Sequence, residues 1–253
     1  MPRFFVSRAA FSEDGASVTV TGEDAHHIAR SLRLSVGDGL TVCDGTGTVY
    51  TCRLTLIRDD RAEAEILGSA PANTEPPFPL RLFMAYPKGD KFETVLQKAV
   101  ELGATRITPF ESERCIKRPP KEKQARLTER HAKIAEEAAK QCGRGRVPAV
   151  DPPLSFSEMT AEAARAALPL FCYEGGGTRS LRAVLSSCGV PASVSVIVGA
   201  EGGFSPAEAQ TLISAGAIPV NLGPRILRCE TAPAYVLSAI SYALELPGND
   251  SFC

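Results

Sequence analysis

Two hydrophobic patterns divide the chain. In its first quarter, apolar and polar residues alternate with the period of two that is typical of half-buried β strands. The alternating segments are 17–22, 40–57 and 61–69. The sequence DGTG at 44–47 is a hairpin turn signal, and a helical stretch at 24–34 interrupts the strands. This part of the chain predicts a small β-barrel.

The remainder alternates short apolar runs with segments of helical period. The predicted strands are 80–86, 105–110, 168–173, 193–199 and 218–223. The predicted helices are 92–103, 121–142, 179–187, 205–216 and 231–246. In the helix at 205–216, Ser205, Pro206 and Glu208 form a capping-box start. Such alternation is typical of an α/β domain with a parallel sheet and helices on both faces.

A proline-rich stretch separates the two patterns. Residues 71–79 contain four prolines, which exclude a helix or a central strand. We therefore expect a first domain at 1–72, a linker at 73–79 and a second domain at 80–253.

Composition excludes several classes of protein. Of the 253 residues, 44% are hydrophobic and 23% are charged, which is ordinary for a globular protein. The net charge of −1 gives no global attraction for nucleic acid, although local basic patches can still bind RNA. No signal peptide and no apolar run of the ~20 residues needed for a membrane helix is present, so we expect a cytoplasmic protein without membrane contact. No cysteines have C-x-x-C spacing, so we expect no metal.

Three strand exits carry unusual loops, at 173–178, 199–205 and 221–230. Ligands of open α/β sheets bind beyond the carboxyl ends of the strands. Two of these loops place a glutamate just before paired glycines, and a carboxylate there would repel pyrophosphate. The loops are compatible with a neutral or cationic adenosine ligand such as S-adenosylmethionine. The structural alternative is that the glycines only form turns.

Four longer motifs are recognisable: KGDKFETVLQKAVELGATRITPFESERC (88–115), EEAAKQCGRGRVP (136–148), VIVGAEGGFSPAE (196–208) and NLGPRILRCETA (221–232). Together they resemble the RsmE family, the ribosomal small-subunit RNA (uridine-N3) methyltransferases of the SPOUT superfamily. The openings MPRFFV and HHIARSLRLSVGDGL are also similar to that family. One departure is Ala200, where the family usually has proline.

The resemblance implies a fold, a cofactor and partners. The fold would be a PUA-like RNA-binding β-barrel followed by a SPOUT domain, a parallel sheet whose chain forms a trefoil knot. The protein would be an obligate homodimer that binds S-adenosylmethionine at the knot. Its substrate would be a uridine in the 16S rRNA of the small ribosomal subunit.

Methylation at uracil N3 requires loss of a proton and stabilisation of charge on the carbonyl oxygens. Arg228 is our candidate for polarising the uracil, with Arg225 second; the alternative is a salt bridge from Arg228 to Glu230 or Glu201. Glu201 would accept the proton or hold an arginine, unless it only orients neighbours. The residues expected at the cofactor are Gly199, Glu201, Gly202, Gly203, Leu222, Gly223, Ile226 and Leu227. Thr231 is expected to cap the last helix.

RNA binding should come from local positive charge. The candidates are Arg3, Arg8, Arg30, Arg33, Arg114, Lys117, Arg118, Arg144 and Arg146. The alternative for the basic stretch 114–133 is a solvated helix face neutralised by its interleaved glutamates.

Two other functions compete with this hypothesis. One is a catalytically inactive, ribosome-associated RNA-binding protein, which would bind no S-adenosylmethionine. The other is a small-molecule enzyme with a nucleotide cofactor, which would bind NAD or ATP and no ribosomal RNA.

Overall fold

The computed structural model describes residues 1–116 and 118–245, and these form two compact units. The first unit comprises Met1–Glu75 and Glu136–Val147, and the second comprises Pro76–Ala135 and the chain from Pro148 onward. The boundary between the two units at Glu75 falls within the proline-rich stretch. Compact units need not coincide with domains, so the boundaries given above stay a prediction.

The first unit contains a five-stranded sheet with the order β1-β3-β4-β5-β2. Its strands are β1 (Arg3–Phe5), β2 (Ser17–Thr21), β3 (Gly39–Cys43), β4 (Thr48–Ile57) and β5 (Arg61–Pro71). β1 is parallel to β3, and the other pairs are antiparallel. Two register shifts between β4 and β5 bend the ribbon. The expected barrel is therefore a curled half-barrel sheet with edges at β1 and β2.

Alternation along these strands builds the first unit's core. Val18, Val20, Leu40 and Leu54 are each buried between more exposed neighbours, and Val42 is buried beside the buried Cys43. The predicted helical stretch is α1 (Glu23–His26), which continues as a π-helical turn over His27–Ser31. Because one face of this sheet packs on the core, its other face is free to present polar and charged side chains.

The second unit contains an eight-stranded parallel sheet. Its strands are β6 (Leu80–Ala85), β7 (Arg106–Glu111), β8 (Ala149–Val150), β9 (Leu154–Ser155), β10 (Leu168–Cys172), β11 (Arg179–Ser180), β12 (Val194–Val198) and β13 (Ile218–Asn221). The order is β11-β13-β10-β12-β6-β7-β8, with β9 also paired to β7. Every pair is parallel, which confirms the predicted α/β class.

Helices connect these strands. They are α2 (Lys91–Glu101), α3 (Lys121–Cys142), α4 (Phe156–Ala163), α5 (Leu181–Ser187), α6 (Pro206–Ser214) and α7 (Thr231–Ile240). The bounds of α3 match the prediction. The regular part of α7 ends earlier than expected, and a π-helical turn follows over Ser241–Glu245. None of the helices in the described ranges is long and apolar enough to cross a bilayer.

Helix starts follow the sequence signals. The side chain of Ser205 accepts a hydrogen bond from the Glu208 N–H (3.3 Å), and the Glu208 carboxylate accepts one from the Ser205 N–H (3.0 Å). This confirms the predicted capping box of α6.

The sheet order places the functional loops together. β13, β10 and β12 are consecutive parallel neighbours, so the loops that follow them leave from one edge of the sheet. That edge is where α/β sheets bind ligands. The trefoil knot stays a prediction, because strand order alone does not define how the chain is threaded.

Candidate functional site

A cavity of about 670 Å³ lies beyond the carboxyl ends of β10, β12 and β13. Most of its lining comes from the three loops that the sequence singled out, and Lys91 of α2 lines it as well. All the residues expected at a cofactor line it except Gly202, and Arg225 and Arg228 line it as well. Its volume is in the usual range for a small-molecule site, roughly 300–1,000 Å³.

The loop after β12 is a tight glycine turn. The Gly203 N–H donates to the carbonyl of Ala200 (2.9 Å), and Gly203 has φ of +60°. A Cβ added to Gly199 would lie 3.1 Å from both the Cα and the carbonyl carbon of Gly203. Glycine at 199 therefore allows two stretches of backbone to touch, and they form one wall of the cavity.

Gly202 does not line the cavity, and it contacts the loop after β7. Arg114 Nη1 donates to the Gly202 carbonyl (2.8 Å), and the N–H of Glu113 donates to Glu208 (2.8 Å). Two hydrogen bonds, from Glu113 and from Arg114 at the start of the basic stretch 114–133, thus connect this loop to the start of α6 and to the glycine turn.

Glu201 is held by the turn between β6 and α2. Its Oε1 accepts hydrogen bonds from the Lys88 N–H (3.0 Å) and from Lys91 Nζ (3.2 Å). Partial burial opposes ionisation, but these bonds and one from its own N–H hold the pKa of Glu201 below its usual value. A carboxylate with a lowered pKa is a weak proton acceptor, so this geometry favours an orienting role.

Glu230 shares the same lysine. Its Oε2 lies 3.2 Å from Lys91 Nζ and accepts a hydrogen bond from the Cys229 thiol (3.2 Å). Burial, followed by that hydrogen bond and the nearby carboxylates, raises the pKa of Cys229 to about 12. The thiol therefore stays protonated and donates to Glu230 rather than acting as a nucleophile.

Arg228 is exposed at the rim of the cavity. Its carbonyl accepts hydrogen bonds from the N–H groups of Thr231 (2.8 Å) and Ala232 (2.9 Å), which fixes its backbone at the start of α7. Within the described ranges its guanidinium has no ion pair, since the carboxylates of Glu201 and Glu230 pair with Lys91. The guanidinium can therefore contact a ligand. Thr231 is the first residue of α7, and Glu230 occupies the cap position instead.

The loop after β10 contributes less than its three glycines suggested. Cys172, Tyr173 and Glu174 line the cavity, whereas Gly175 lies against the Tyr173 ring, which would overlap a Cβ at that position. Lys88, before α2, and Lys91, the first residue of α2, were not among the residues expected at the site. No local signal identifies these two lysines, because only the sheet order brings β6 beside β12.

The cavity's chemistry suits an adenosine ligand with a positive charge. Backbone groups, Leu222, Ile226 and Leu227 offer apolar surface and hydrogen bonds. The ionisable side chains are balanced: Lys91, Arg225 and Arg228 against Glu174, Glu201 and Glu230. Nothing in the lining resembles the glycine–lysine cradle that binds nucleotide phosphates.

Three of the predicted RNA contacts have internal partners in the first unit. Arg3 donates to the carbonyl of Arg144 (2.8 Å), and the Arg144 side chain is 4% exposed and bonds to Glu75. The Arg146 guanidinium packs on Gly47, 2.8 Å from where a Cβ of that residue would lie. The geometry of Arg3 and Arg144 is that of structural residues, whereas Arg146 remains exposed.

Other predicted contacts lie on the surface. Arg8 is exposed over the Phe11 ring, and Arg30 pairs with Asp59 through two hydrogen bonds (3.1 and 2.8 Å). Arg33 is exposed and has φ of +52°, which is unusual for a residue with a side chain.

In the second unit, Arg118 donates to the carbonyls of Ser112 (3.3 Å) and Glu113 (3.4 Å) and remains exposed. Lys117 lies outside the described residues.

Comparisons with known proteins identify the family. The family model described as an RNA methyltransferase domain matches residues 74–241, and that of the RNA methyltransferase PUA domain matches residues 20–67. Ribosomal RNA small subunit methyltransferase E of Bacillus subtilis is 34% identical, covering 99% of this chain and all of that protein. The protein of the same name from Synechocystis is 36% identical, over 91% of this chain and 74% of its own.

A solved structure agrees with these matches. Ribosomal RNA small subunit methyltransferase E from Neisseria gonorrhoeae, bound to S-adenosyl methionine, superposes with a TM-score of 0.84 at 33% identity, covering 96% of this chain and 98% of that one. The resemblance inferred from the motifs is confirmed. The chain therefore belongs to the RNA methyltransferase family, together with the ribosomal RNA small subunit methyltransferase E proteins.

Proposed function

We propose that this protein transfers the methyl group of S-adenosylmethionine to small-subunit ribosomal RNA, at N3 of a uridine in the 16S molecule. The observation that carries the proposal is the cavity itself. It combines backbone and apolar walls suited to adenosine with an exposed arginine, Arg228, at its rim. The named relatives and the S-adenosyl methionine complex of the Neisseria protein support the same reaction.

Each part of the cavity has a task in that reaction. When bound, S-adenosylmethionine supplies an electrophilic methyl group on a sulfonium. Gly199 and Gly203 keep two stretches of backbone close enough to form one wall for the cofactor, and Leu222, Ile226 and Leu227 would cover its adenine. Arg228 donates hydrogen bonds to a uracil carbonyl oxygen and stabilises the negative charge that develops when N3 loses its proton.

Glu201 is proposed as an orienting residue. Two of its hydrogen-bond donors belong to the β6–α2 turn, and its lowered pKa makes it a poor acceptor for the N3 proton. The proton then leaves to solvent at the open rim where Arg228 lies. Orientation of the reacting atoms, together with charge stabilisation, supplies the rate enhancement.

RNA binding is proposed for the exposed arginines. Among the arginines that the sequence singled out, the exposed ones are Arg8, Arg30, Arg33 and Arg146 in the first unit and Arg114 and Arg118 in the second. Contacts of this kind go to phosphates and position the RNA without reading its sequence. Their replacement should weaken binding and reduce its salt dependence.

A homodimer is proposed from the surface at the end of the second unit. Tyr235 is 46% exposed and Tyr242 is 79% exposed, and both line a groove of about 430 Å³. Leu181 and Leu185 supply apolar surface in the same groove. Sedimentation should show a dimer that Tyr242→Asp dissociates; a monomeric wild-type protein would contradict the proposal.

The reaction is tested with labelled cofactor and two substrates. Purified small subunits and protein-free 16S rRNA are each incubated with the protein and S-adenosylmethionine carrying a labelled methyl group. The RNA is then digested to nucleosides and analysed by mass spectrometry. We expect N3-methyluridine; a label on another base or on ribose contradicts the assigned position. Calorimetry that shows no cofactor binding at millimolar concentration would favour an inactive RNA-binding protein.

A further inference from the structure

Lys91 joins two of the cavity's walls. It is the first residue of α2, and its Nζ lies 3.2 Å from Glu201 and 3.2 Å from Glu230. Glu201 belongs to the loop after β12, and Glu230 belongs to the loop after β13. One ammonium group thus connects two loops that are separate in the sequence and that both line the candidate cofactor cavity.

Lys91 partly neutralises the charge of the two carboxylates. In the part of the chain that the structure describes, Lys91 is the charged partner of both Glu201 and Glu230. Without it, two negative groups would occupy one small region and repel each other. The loops that carry them contain Gly199, Gly203 and Gly223, and glycine gives a backbone more freedom to move apart.

A second contact attaches the loop after β12 to the chain that leads into α2. The Lys88 N–H, in the same β6–α2 turn, also donates to Glu201, so the turn and the loop are attached at two points. The Lys91 side chain is 37% exposed, so a single ion pair of this kind would contribute little to stability. Its effect should therefore appear in the arrangement of the loops more than in the stability of the whole chain.

We propose that Lys91 is a positioning residue that holds the loops after β12 and β13 in their binding arrangement before the cofactor arrives. The inference rests on the proposed function for the identity of the ligand. Because the cavity is already ordered, binding does not have to order the two loops, and affinity rises accordingly. Lys91 contributes through the two glutamates and makes no contact with the reacting atoms.

The affinities for two ligands distinguish a positioning role of Lys91 from a purely electrostatic one. S-adenosylmethionine is a sulfonium cation, whereas S-adenosylhomocysteine has a neutral sulfur. If Lys91 orders the loops, Lys91→Met weakens both ligands by about the same factor, roughly tenfold. If Lys91 only neutralises charge, its loss leaves the cavity with an excess of negative charge. S-adenosylmethionine, the cation, should then bind more tightly, and the affinity for S-adenosylhomocysteine should stay unchanged.

Lys98 provides a matched control on the same helix. It pairs with Glu101 (2.8 Å) and does not line the cavity. By calorimetry we expect Lys98→Met to bind both ligands like the wild type. Lys91→Arg keeps a cation that can bridge two carboxylates, so it should recover most of the affinity. In turnover assays Lys91→Met should raise KM for the cofactor and leave kcat nearly unchanged.

Hydrogen exchange without any ligand tests the positioning role independently of the reaction. Amides of 199–204 and 222–230 should exchange several-fold faster in Lys91→Met and at wild-type rates in Lys98→Met. Unchanged exchange in Lys91→Met, or affinity for both ligands within twofold of wild type, would overturn the role of Lys91. Failure of the wild-type protein to bind either ligand would instead refute the proposed function, while the exchange result still decides the role of Lys91.

Discussion

Replacing Gly199 with alanine tests whether the glycine turn forms the cofactor wall. The new Cβ would lie 3.1 Å from the Cα and the carbonyl carbon of Gly203, where carbon atoms normally stay about 3.5–4.0 Å apart. The obstacle is backbone, and Gly203 already has φ of +60°, so the turn must open by roughly half an ångström. Overpacking of this kind costs about 1–3 kcal/mol.

Most of that energy should appear in ligand binding, because the displaced backbone lines the cavity. A cost of about 1.4 kcal/mol corresponds to a tenfold loss of affinity, so we expect Gly199→Ala to bind S-adenosylmethionine at least tenfold more weakly by calorimetry. Gly189→Ala is the matched control, since no atom lies within 4 Å of its added Cβ and its φ is not positive. Wild-type affinity and melting temperature in Gly199→Ala would refute this reading of the turn.

Three further substitutions test the site and the first unit. Arg228→Ala should keep cofactor affinity and abolish methyl transfer in the radiolabel assay; near-wild-type activity would exclude its role. Glu201→Gln should lower the melting temperature at pH 7, with the difference shrinking below pH 4.5, because the wild-type carboxyl has a lowered pKa and its stabilisation is lost on protonation. A constant difference between pH 7 and pH 3 would contradict this. Glu75→Ala should reduce the free energy of unfolding by about 3 kcal/mol in urea titration, because it breaks the pair with the buried Arg144; a loss below about 1 kcal/mol would contradict it.

Local patterns were sufficient for most elements of the second unit. The bounds of α3 and the capping box of α6 follow from helical period and from side chains that bond to nearby backbone. The same signal, Ser155 followed by Glu158, starts α4 and was missed, since no strongly periodic apolar face follows it in so short a helix. The strands β8, β9 and β11 of this unit, like β1 of the first unit, have two or three residues each, too few to show a period.

Long-range pairing limited the prediction of the site. The three loops were identified because each directly follows an apolar strand, and the parallel order then places them together. Lys91 was missed because its partners, Glu201 and Glu230, are more than 100 residues away in sequence. From the sequence, Arg144 was predicted to be a surface cation that contacts RNA. The structure shows instead that it is buried and paired with Glu75.

The central claim is that S-adenosylmethionine binds between the loops after β10, β12 and β13. A crystal structure of the protein with this ligand tests it most directly. We predict density for adenosine against the backbone of 199–203 and 222–227, with the sulfonium methyl directed toward the rim where Arg228 lies. Density elsewhere on the protein, with this cavity empty at saturating ligand, would contradict it.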